Sequence, residues 1–403
     1  MPDDATERSA APLTILIGCD TFSPDVNGAA SFARQLAVGM VQRGHRVEVV
    51  APAPTGVRAG TYREHHGGVE FTVHRLYSWR WLPHPWLRFA LPWRAKANAR
   101  RIVDAVKPGV IHFQSHIVIG RGLAMVAKER GIRLIGTNHV MPENIVQHVR
   151  ILPRRTLDWL VRVQWRDAGR WFGAADAVTS PTRRSADYLE HNTGLRGTHA
   201  ISNGIVLGNY RQDFTPRERN RIVFLGRIDE EKHVDELVHA VARLDPALDV
   251  EVDILGDGDQ RAAVRQLVEK LGLADRIRVP GKVSYDVLRE TLTRASVFAM
   301  PSTAELQSIT TMEAMASALP VVAADAVALP HLVQNGVNGY LYTPHDVRAL
   351  ADRLTDVLTA PWEEQERMKR ASLAKVQVHD LEHALDAFEA IYRGLDIPDP
   401  VTD

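Results

Sequence analysis

Short apolar runs recur along the chain, each followed by a longer stretch with helical spacing of its apolar positions. The runs at 13–17, 47–50, 110–113 and 134–136 read as buried strands. Helices are expected at 31–43 and 120–128, the first closed by Gly44, a residue suited to the left-handed turn after a helix. The alternation restarts at 221–225. It continues through a helix at 234–243, a strand at 250–255, a helix at 261–271 and strands at 276–279, 297–300 and 320–323. Strands alternating with helices argue for parallel sheets with helices on both faces. Two such series predict an α/β protein of two Rossmann-like, doubly wound domains, joined somewhere in 195–209. The expected division is a loose tail at 1–12, an N-terminal domain at 13–198, a C-terminal domain at 199–380 and a last helical piece at 381–403. The helical stretch 363–395 has no strand partner. Ligands of such sheets bind beyond the carboxyl ends of the strands, so two facing domains place the expected site in the cleft between them.

Composition fits this picture. The 403 residues suffice for two domains with substantial cores, and 45% hydrophobic with 24% charged residues is globular. Lys+Arg and Asp+Glu both number 49, so no overall field draws nucleic acid. Cys19 is the single cysteine, which excludes an intrachain disulfide framework and suits a reducing compartment. No apolar run approaches the ~20 residues of a membrane span. The first twelve residues are acidic, small and polar, unlike a signal peptide.

The densest chemistry lies in Ala304-Glu305-Leu306-Gln307-Ser308-Ile309-Thr310-Thr311-Met312-Glu313-Ala314-Met315-Ala316. A helix beginning near Ser308 would present the amides of Ser308, Ile309 and Thr310 to an anion. Glu313 would then lie one to two turns further in, with Glu305 just before the helix. A phosphate held between them leaves an acid on each side for hydroxyl groups, the layout of a nucleotide sugar. Phe224-Leu225-Gly226-Arg227 ends a strand, and Lys232 follows: a glycine turn with two cations suits a diphosphate. In 24–30, Asn27-Gly28 follows the first strand, where a glycine lets backbone approach an anion. Gly136-Thr137-Asn138-His139 ends another strand and carries His139 to the expected cleft. Each motif alone also fits an ordinary turn, a solvated charge or a structural histidine. Asp257-Gly258-Asp259 matches a metal-binding D-x-D only superficially, because Asp and Gly favour a strand-to-helix turn there. No His/Cys cluster points to zinc, and no Gly-x-Ser-x-Gly elbow points to a hydrolase.

The order and spacing of these motifs resemble the GT4 family of retaining glycosyltransferases, which have the GT-B fold. The Glu305/Glu313 pair with its Glu-Ala-Met-Ala-x-x-x-Pro-Val-Val context carries the resemblance, together with Gly226-Arg227 and Lys232. It extends from the first strand to the Pro-Val-Val strand. The resemblance implies Arg227 and Lys232 on the donor diphosphate, Glu313 on ribose, Glu305 on donor-sugar hydroxyls and His139 at the reacting centre. Asn203-Gly204 resembles the family's interdomain turn, and Gly281-Lys282-Val283 its nucleobase loop, with Val283 near the base. The implied reaction moves a hexose from a UDP- or GDP-sugar to an acceptor hydroxyl, without metal or cofactor. The acceptor attacks on the face the nucleotide leaves. Departures exist: Gly28-Ala29 replaces a paired glycine, and Gln307-Ser308 replaces the commoner aromatic-glycine. Glutamine at 307 is similar to lipid-glycosylating members, and Val140-Met141-Pro142-Glu143-Asn144 is unlike the commoner versions, placing Asn144 towards the acceptor.

Charge is unevenly spread. Between 72 and 101 the chain holds seven Arg/Lys, among them Arg80, Arg88 and Arg94, no acid, and Trp79, Trp81, Trp86 and Trp93. A second stretch sets Arg162, Arg166 and Arg170 at i,i+4 spacing, interleaved with Trp159, Trp165 and Trp171. Tryptophan with arginine suits the headgroup zone of an anionic membrane. The competing readings are core tryptophans with solvated arginines, or stacking on nucleic acid. The expectation is a cytoplasmic enzyme, peripheral on the inner membrane face, with a lipid acceptor such as diacylglycerol, a glycolipid or a phosphatidylinositol derivative. A soluble acceptor, an epimerase, a phosphorylase or a non-catalytic sugar-nucleotide binder are the alternatives.

Overall fold

The computed structural model describes residues 11–25, 27–80, 88–142 and 153–397. They form two compact units, one of the described residues up to Ser202 together with those from Ala384 onward, and one of Asn203–His383.

The first unit contains β1 (Thr14–Gly18), β2 (Arg46–Pro52), β3 (Gly60–His66), β4 (Val69–Leu76), β5 (Ser78–Arg80), β6 (Arg88–Ala90), β7 (Val110–Phe113), β8 (Arg133–Thr137), β9 (Ala177–Ser180) and β10 (His199–Ala200). Eight of these strands make one sheet in the order β10-β9-β8-β7-β1-β2-β4-β3. The strand order reverses between β1 and β7, at the centre of the sheet. These inner strands are buried along nearly their whole length, which explains their apolar sequences. β5 and β6 form a separate antiparallel pair. Within the eight-stranded sheet only β3 runs antiparallel, paired to β4 through Gly67-Gly68, both at positive φ as a tight hairpin demands. Its exposed, charged sequence suits a sheet edge.

The helix Gly28–Gln42 starts three residues earlier than the apolar spacing implies, because the Asn27 side chain caps it by accepting the Ala30 N–H at 2.8 Å. It buries Phe32, Ala33, Leu36 and Met40. The C-terminal helical stretch is two helices, Trp362–Val376 and Leu381–Arg393, parted by the 3-10 turn Gln377–His379. In the first unit, Leu385 of the last helix lies flush on Gly39, where a Cβ would come 2.4 Å from Leu385 Cδ1. The Phe388 ring packs 5.4 Å from both Phe32 and His112. His112, in β7, sits 2.7 Å from the Tyr392 hydroxyl and 2.6 Å from Thr137 Oγ1. Burial pushes its pKa down to about 3, so this imidazole is neutral and bridges helix to sheet with one donor and one acceptor.

The second unit contains β11 (Asn220–Leu225), β12 (Val250–Leu255), β13 (Ile277–Gly281), β14 (Val297–Met300), β15 (Val321–Ala324) and β16 (Gly339–Tyr342). All are parallel, in the order β13-β12-β11-β14-β15-β16. Counted within the unit this is 3-2-1-4-5-6, the order of a dinucleotide-binding sheet, and it reverses between β11 and β14. Three glycines at the carboxyl ends of neighbouring strands, Gly226, Gly256 and Gly281, have φ of 155°, 143° and 92°. A Cβ on Gly256 would meet the Gly226 carbonyl oxygen at 1.7 Å, so bare backbone is the only fit at the ends of β11 and β12.

Candidate functional site

The reversal between β11 and β14 sends their two following loops to opposite sides, and the crevice this opens is where such sheets bind ligands. In the second unit the loop after β11 carries Gly226, Arg227 and Lys232, and the loop after β14 carries Glu305 to Ser308. They meet through charge. Lys232 Nζ donates to Glu305 Oε1 at 2.6 Å and approaches Ser302 Oγ at 3.5 Å. Arg227 pairs with Asp229 and donates to Glu231 Oε1 at 2.8 Å. Asp229 and Glu231 are themselves buried, and burial raises the Asp229 pKa despite the neighbouring guanidinium. Each expected diphosphate cation is thus already paired with acid on its own or the neighbouring loop. Backbone bonds lock the two loops together: the Thr303 N–H donates to the Glu231 carbonyl at 3.1 Å.

The helix Ile309–Ala316 follows. Ser308 is its N-cap at φ 70°, and its side chain makes no capping bond but lies 2.8 Å from Thr311 Oγ1. The amides of Ile309 and Thr310 open the first turn, where a helix offers donors without intrahelical acceptors. Gln307 is buried, and its Oε1 accepts the Asn203 N–H at 2.9 Å, so it anchors the loop to the first residue of the unit. Glu313 accepts the Tyr210 hydroxyl at 2.6 Å, with the Arg289 guanidinium 6.0 Å from the Tyr210 ring. The Glu313 side chain is half-buried, and desolvation pushes its pKa up to about 7 against the lowering by Tyr210 and Arg289. Val283 follows Gly281 in a loop that packs partly on the core. In the Asp257-Gly258-Asp259 turn, both aspartates are exposed, and the Asp259 N–H donates to Asp229 at 3.2 Å, so the turn braces the Arg227 loop.

In the first unit the equivalent reversal lies between β1 and β7. Asp20, after β1, accepts the Ser115 hydroxyl and the Ile119 N–H, the latter at 3.0 Å, and so ties the two loops at the start of the helix Ile119–Arg130. Asn27 and Gly28 form the start of their helix, with Asn27 Oδ1 committed to the cap. His139 lies two residues beyond β8, its ring 5.0 Å from Phe32. Its Nε2 is buried and has no hydrogen-bond partner among the described residues, and burial pushes the pKa to about 3, so the imidazole is neutral.

Residues 26–208 match the model of Glycosyltransferase Family 4, and residues 209–374 that of Glycosyl transferases group 1. The chain belongs to the GT4-type glycosyltransferases. Sulfoquinovosyl transferase SQD2 of Arabidopsis thaliana is 28% identical over 319 residues, 73% of this chain and 59% of that protein. MMP alpha-(1->4)-mannosyltransferase of Mycolicibacterium hassiacum is 32% identical over 260 residues, 61% of each. The match thus spans about three fifths of these relatives' own lengths. The solved structure of Anabaena Alr3699/HepE in complex with UDP-glucose superposes with a TM-score of 0.72 at 17% identity, over 95% of this chain and 100% of that one. The architecture of this GT4-type chain is GT-B.

The aromatic and basic stretches divide. Trp165 and Trp171 are core residues, which corrects their expected place at a membrane interface and matches the competing core reading: Trp165 packs on Tyr188, and Trp171 donates to Asp167. Along the helix Arg154–Phe172 an exposed stripe remains of Arg155, Trp159, Arg162 and Arg166, with Arg170 stacked 4.9 Å over the Trp171 ring. In the other stretch Trp93 is 72% exposed, its ring tilted against that of Trp79 with centroids 5.4 Å apart. Arg80 is exposed, but Arg88 turns inward to Ser78 and Thr55. Lys96 and Arg100 pair with Glu129, and Arg75 is buried on Glu64. Trp81, Trp86 and Asn144 lie outside the described residues. Among the described residues no helix is long and apolar enough to cross a membrane.

Sequence reasoning missed Tyr210, Gly256, Asp229 and Glu231. Only the last left a local sign, at i+4 from Arg227.

The raised Glu313 pKa gives a testable slope. Unfolded, the group titrates near 4.5; folded, near 7. Between these values the folded chain holds the extra proton, so stability falls as pH rises from 4.5 to 7 and the loss is complete above 7. Urea unfolding of Glu313→Gln at pH 5 and pH 8 should show this fall reduced by about 3 kcal/mol, at ~1.36 kcal/mol per pKa unit. An unchanged slope would contradict the assignment.

Proposed function

We propose that this protein is a retaining glycosyltransferase that moves a hexose from a UDP- or GDP-sugar to an acceptor hydroxyl. The observation that carries the proposal is the meeting of Arg227, Lys232 and Glu305 at the strand reversal of the second unit, next to the start of the helix Ile309–Ala316. Two fixed cations and a helix start answer the needs of a leaving diphosphate. As the anomeric carbon–oxygen bond breaks, its electron pair passes to the diphosphate, and donors already in place lower the barrier. Lys232 and Arg227 take the diphosphate. Glu305 exchanges its ion pair for sugar hydroxyls, and Glu313, ionised above pH 7, accepts from ribose with Tyr210 holding its other face. The acceptor oxygen bonds to the anomeric carbon, and its proton passes to the departing phosphate. His139, with a buried neutral nitrogen to spare, is assigned to the donor sugar. UDP-glucose in the structurally similar HepE supports a nucleotide-sugar donor, and the mannosyltransferase relative supports a hexose. The chemistry of these residues requires no metal.

The acceptor we assign is a membrane lipid. The reason is the exposed Arg155–Trp159–Arg162–Arg166 stripe, with Trp93 exposed as well: arginines reach lipid phosphates while an indole enters the interface.

Arg227→Ala and Lys232→Ala should each slow release of UDP or GDP from a panel of UDP- and GDP-hexoses, assayed with acceptor, by roughly 10²–10³-fold. Rates within threefold of the parent would remove both residues from the reaction. The lipid assignment predicts co-sedimentation with anionic vesicles at low salt. The triple change Trp159→Ala, Arg162→Glu, Arg166→Glu should abolish it, whereas absence of binding by the parent chain would overturn the lipid acceptor.

A further inference from the structure

A second cluster lies beside the diphosphate loops, and nothing in the glycosyl-transfer reading uses it. His233 follows Lys232 and caps the helix Val234–Val241, Glu236 sits in that helix's first turn, and His345 lies in the turn between β16 and the helix Val347–Thr359. One ligand atom from each residue falls within 4.8 Å of the others, the one such group of three found among the described residues. His345 Nδ1 is 2.7 Å from Glu236 Oε1, and His233 Nδ1 is 3.6 Å from the same oxygen. The two imidazoles meet edge to face, centroids 4.7 Å apart.

Two features go beyond an ordinary ion pair. The first is an outer layer. His233 Nε2 is held by Thr303 Oγ1 at 3.0 Å, which leaves Nδ1 turned to the carboxylate. Glu236 Oε2 accepts the buried Tyr342 hydroxyl at 3.2 Å, which leaves Oε1 turned to both rings. Such outer partners fix the tautomer and direction of metal-binding side chains. The second is backbone. His233 and His345 both stand at positive φ, 45° and 68°, where a β-carbon costs on the order of 1 kcal/mol. Local turn geometry would be served better by glycine at either place.

We propose that His233, Glu236 and His345 bind a divalent transition-metal ion, zinc above all. Two imidazoles and a carboxylate suit zinc, cobalt or nickel and disfavour magnesium and calcium. In a tetrahedral site with ~2.0–2.1 Å bonds, ligand atoms lie about 3.3 Å apart. The His233–Glu236 separation is already close to that, and the His345–Glu236 separation needs to open by roughly half an ångström. Glu236 is buried while the His345 side chain is 64% exposed, so the fourth position faces water. The site clips the loop after β11 to the turn after β16 one residue from Lys232. It is a clip and not part of the chemistry, and it stands whether or not the transfer reaction does.

The test uses the full chain after chelation and dialysis. Calorimetric titration with zinc chloride should give one equivalent per chain, and zinc should raise the thermal unfolding temperature while magnesium and calcium do not. His345→Ala removes an exposed ligand, and His233→Gly removes another while easing the left-handed backbone, so both variants keep the fold. Each should weaken that equivalent at least tenfold, and cobalt should lose its visible tetrahedral absorption. Absence of zinc binding by the parent, or zinc binding unchanged in both variants, would overturn the proposal.

Discussion

The ion pair between Lys232 and Glu305 is the joint on which the second unit's chemistry turns. It joins loops leaving β11 and β14, the two strands between which the sheet order reverses. Parallel strands bring every loop of this kind to one edge of the sheet, but only at the reversal do neighbouring loops part and leave space. The three positive-φ glycines at that edge are the backbone counterpart of the same constraint. A Cβ on Gly256 would collide with the Gly226 carbonyl, and one on Gly281 with the Arg261 guanidinium, so the edge is made of bare peptide and of charge set on the loops behind it.

Both cations are held by protein acids. Arg227 and Lys232 are matched against Asp229, Glu231 and Glu305. A partly buried cation left alone would be costly, and a partner that is itself a hydroxyl acceptor solves this twice. In the proposed reaction a diphosphate would take over the lysine and free the carboxylate at position 305 for the sugar. Glu313 follows the same logic with a neutral partner, since Tyr210 can hold the carboxyl in either protonation state. The His233 cluster, one residue from Lys232, would steady this loop from its far side.

Much of the architecture was legible because strands covered on both faces are mostly apolar, and β7 and β14 lie where the apolar runs begin and end, while β12 keeps its expected bounds although Glu251 and Asp253 interrupt it. The hairpin of β3 and β4 was harder: its edge strand is polar, and only Gly67-Gly68 marks it. Partners distant in sequence left no local trace. Glu305 lies 73 residues from Lys232, Tyr210 lies 103 from Glu313, and His345 lies 109 from Glu236. That is why a chain without any local His/Cys motif still gathers a histidine–carboxylate cluster. The tryptophans were separable by helical period: Trp165, Ala168 and Phe172 share the buried face, whereas Trp159 shares the exposed one with Arg155, Arg162 and Arg166.

The most direct measurement is calorimetric titration of UDP and GDP into the parent chain and into the double variant Arg227→Glu, Lys232→Glu. If these cations hold the diphosphate, one nucleotide binds the parent and its affinity falls at least a hundredfold in the variant. Equal affinity for both chains would contradict the account.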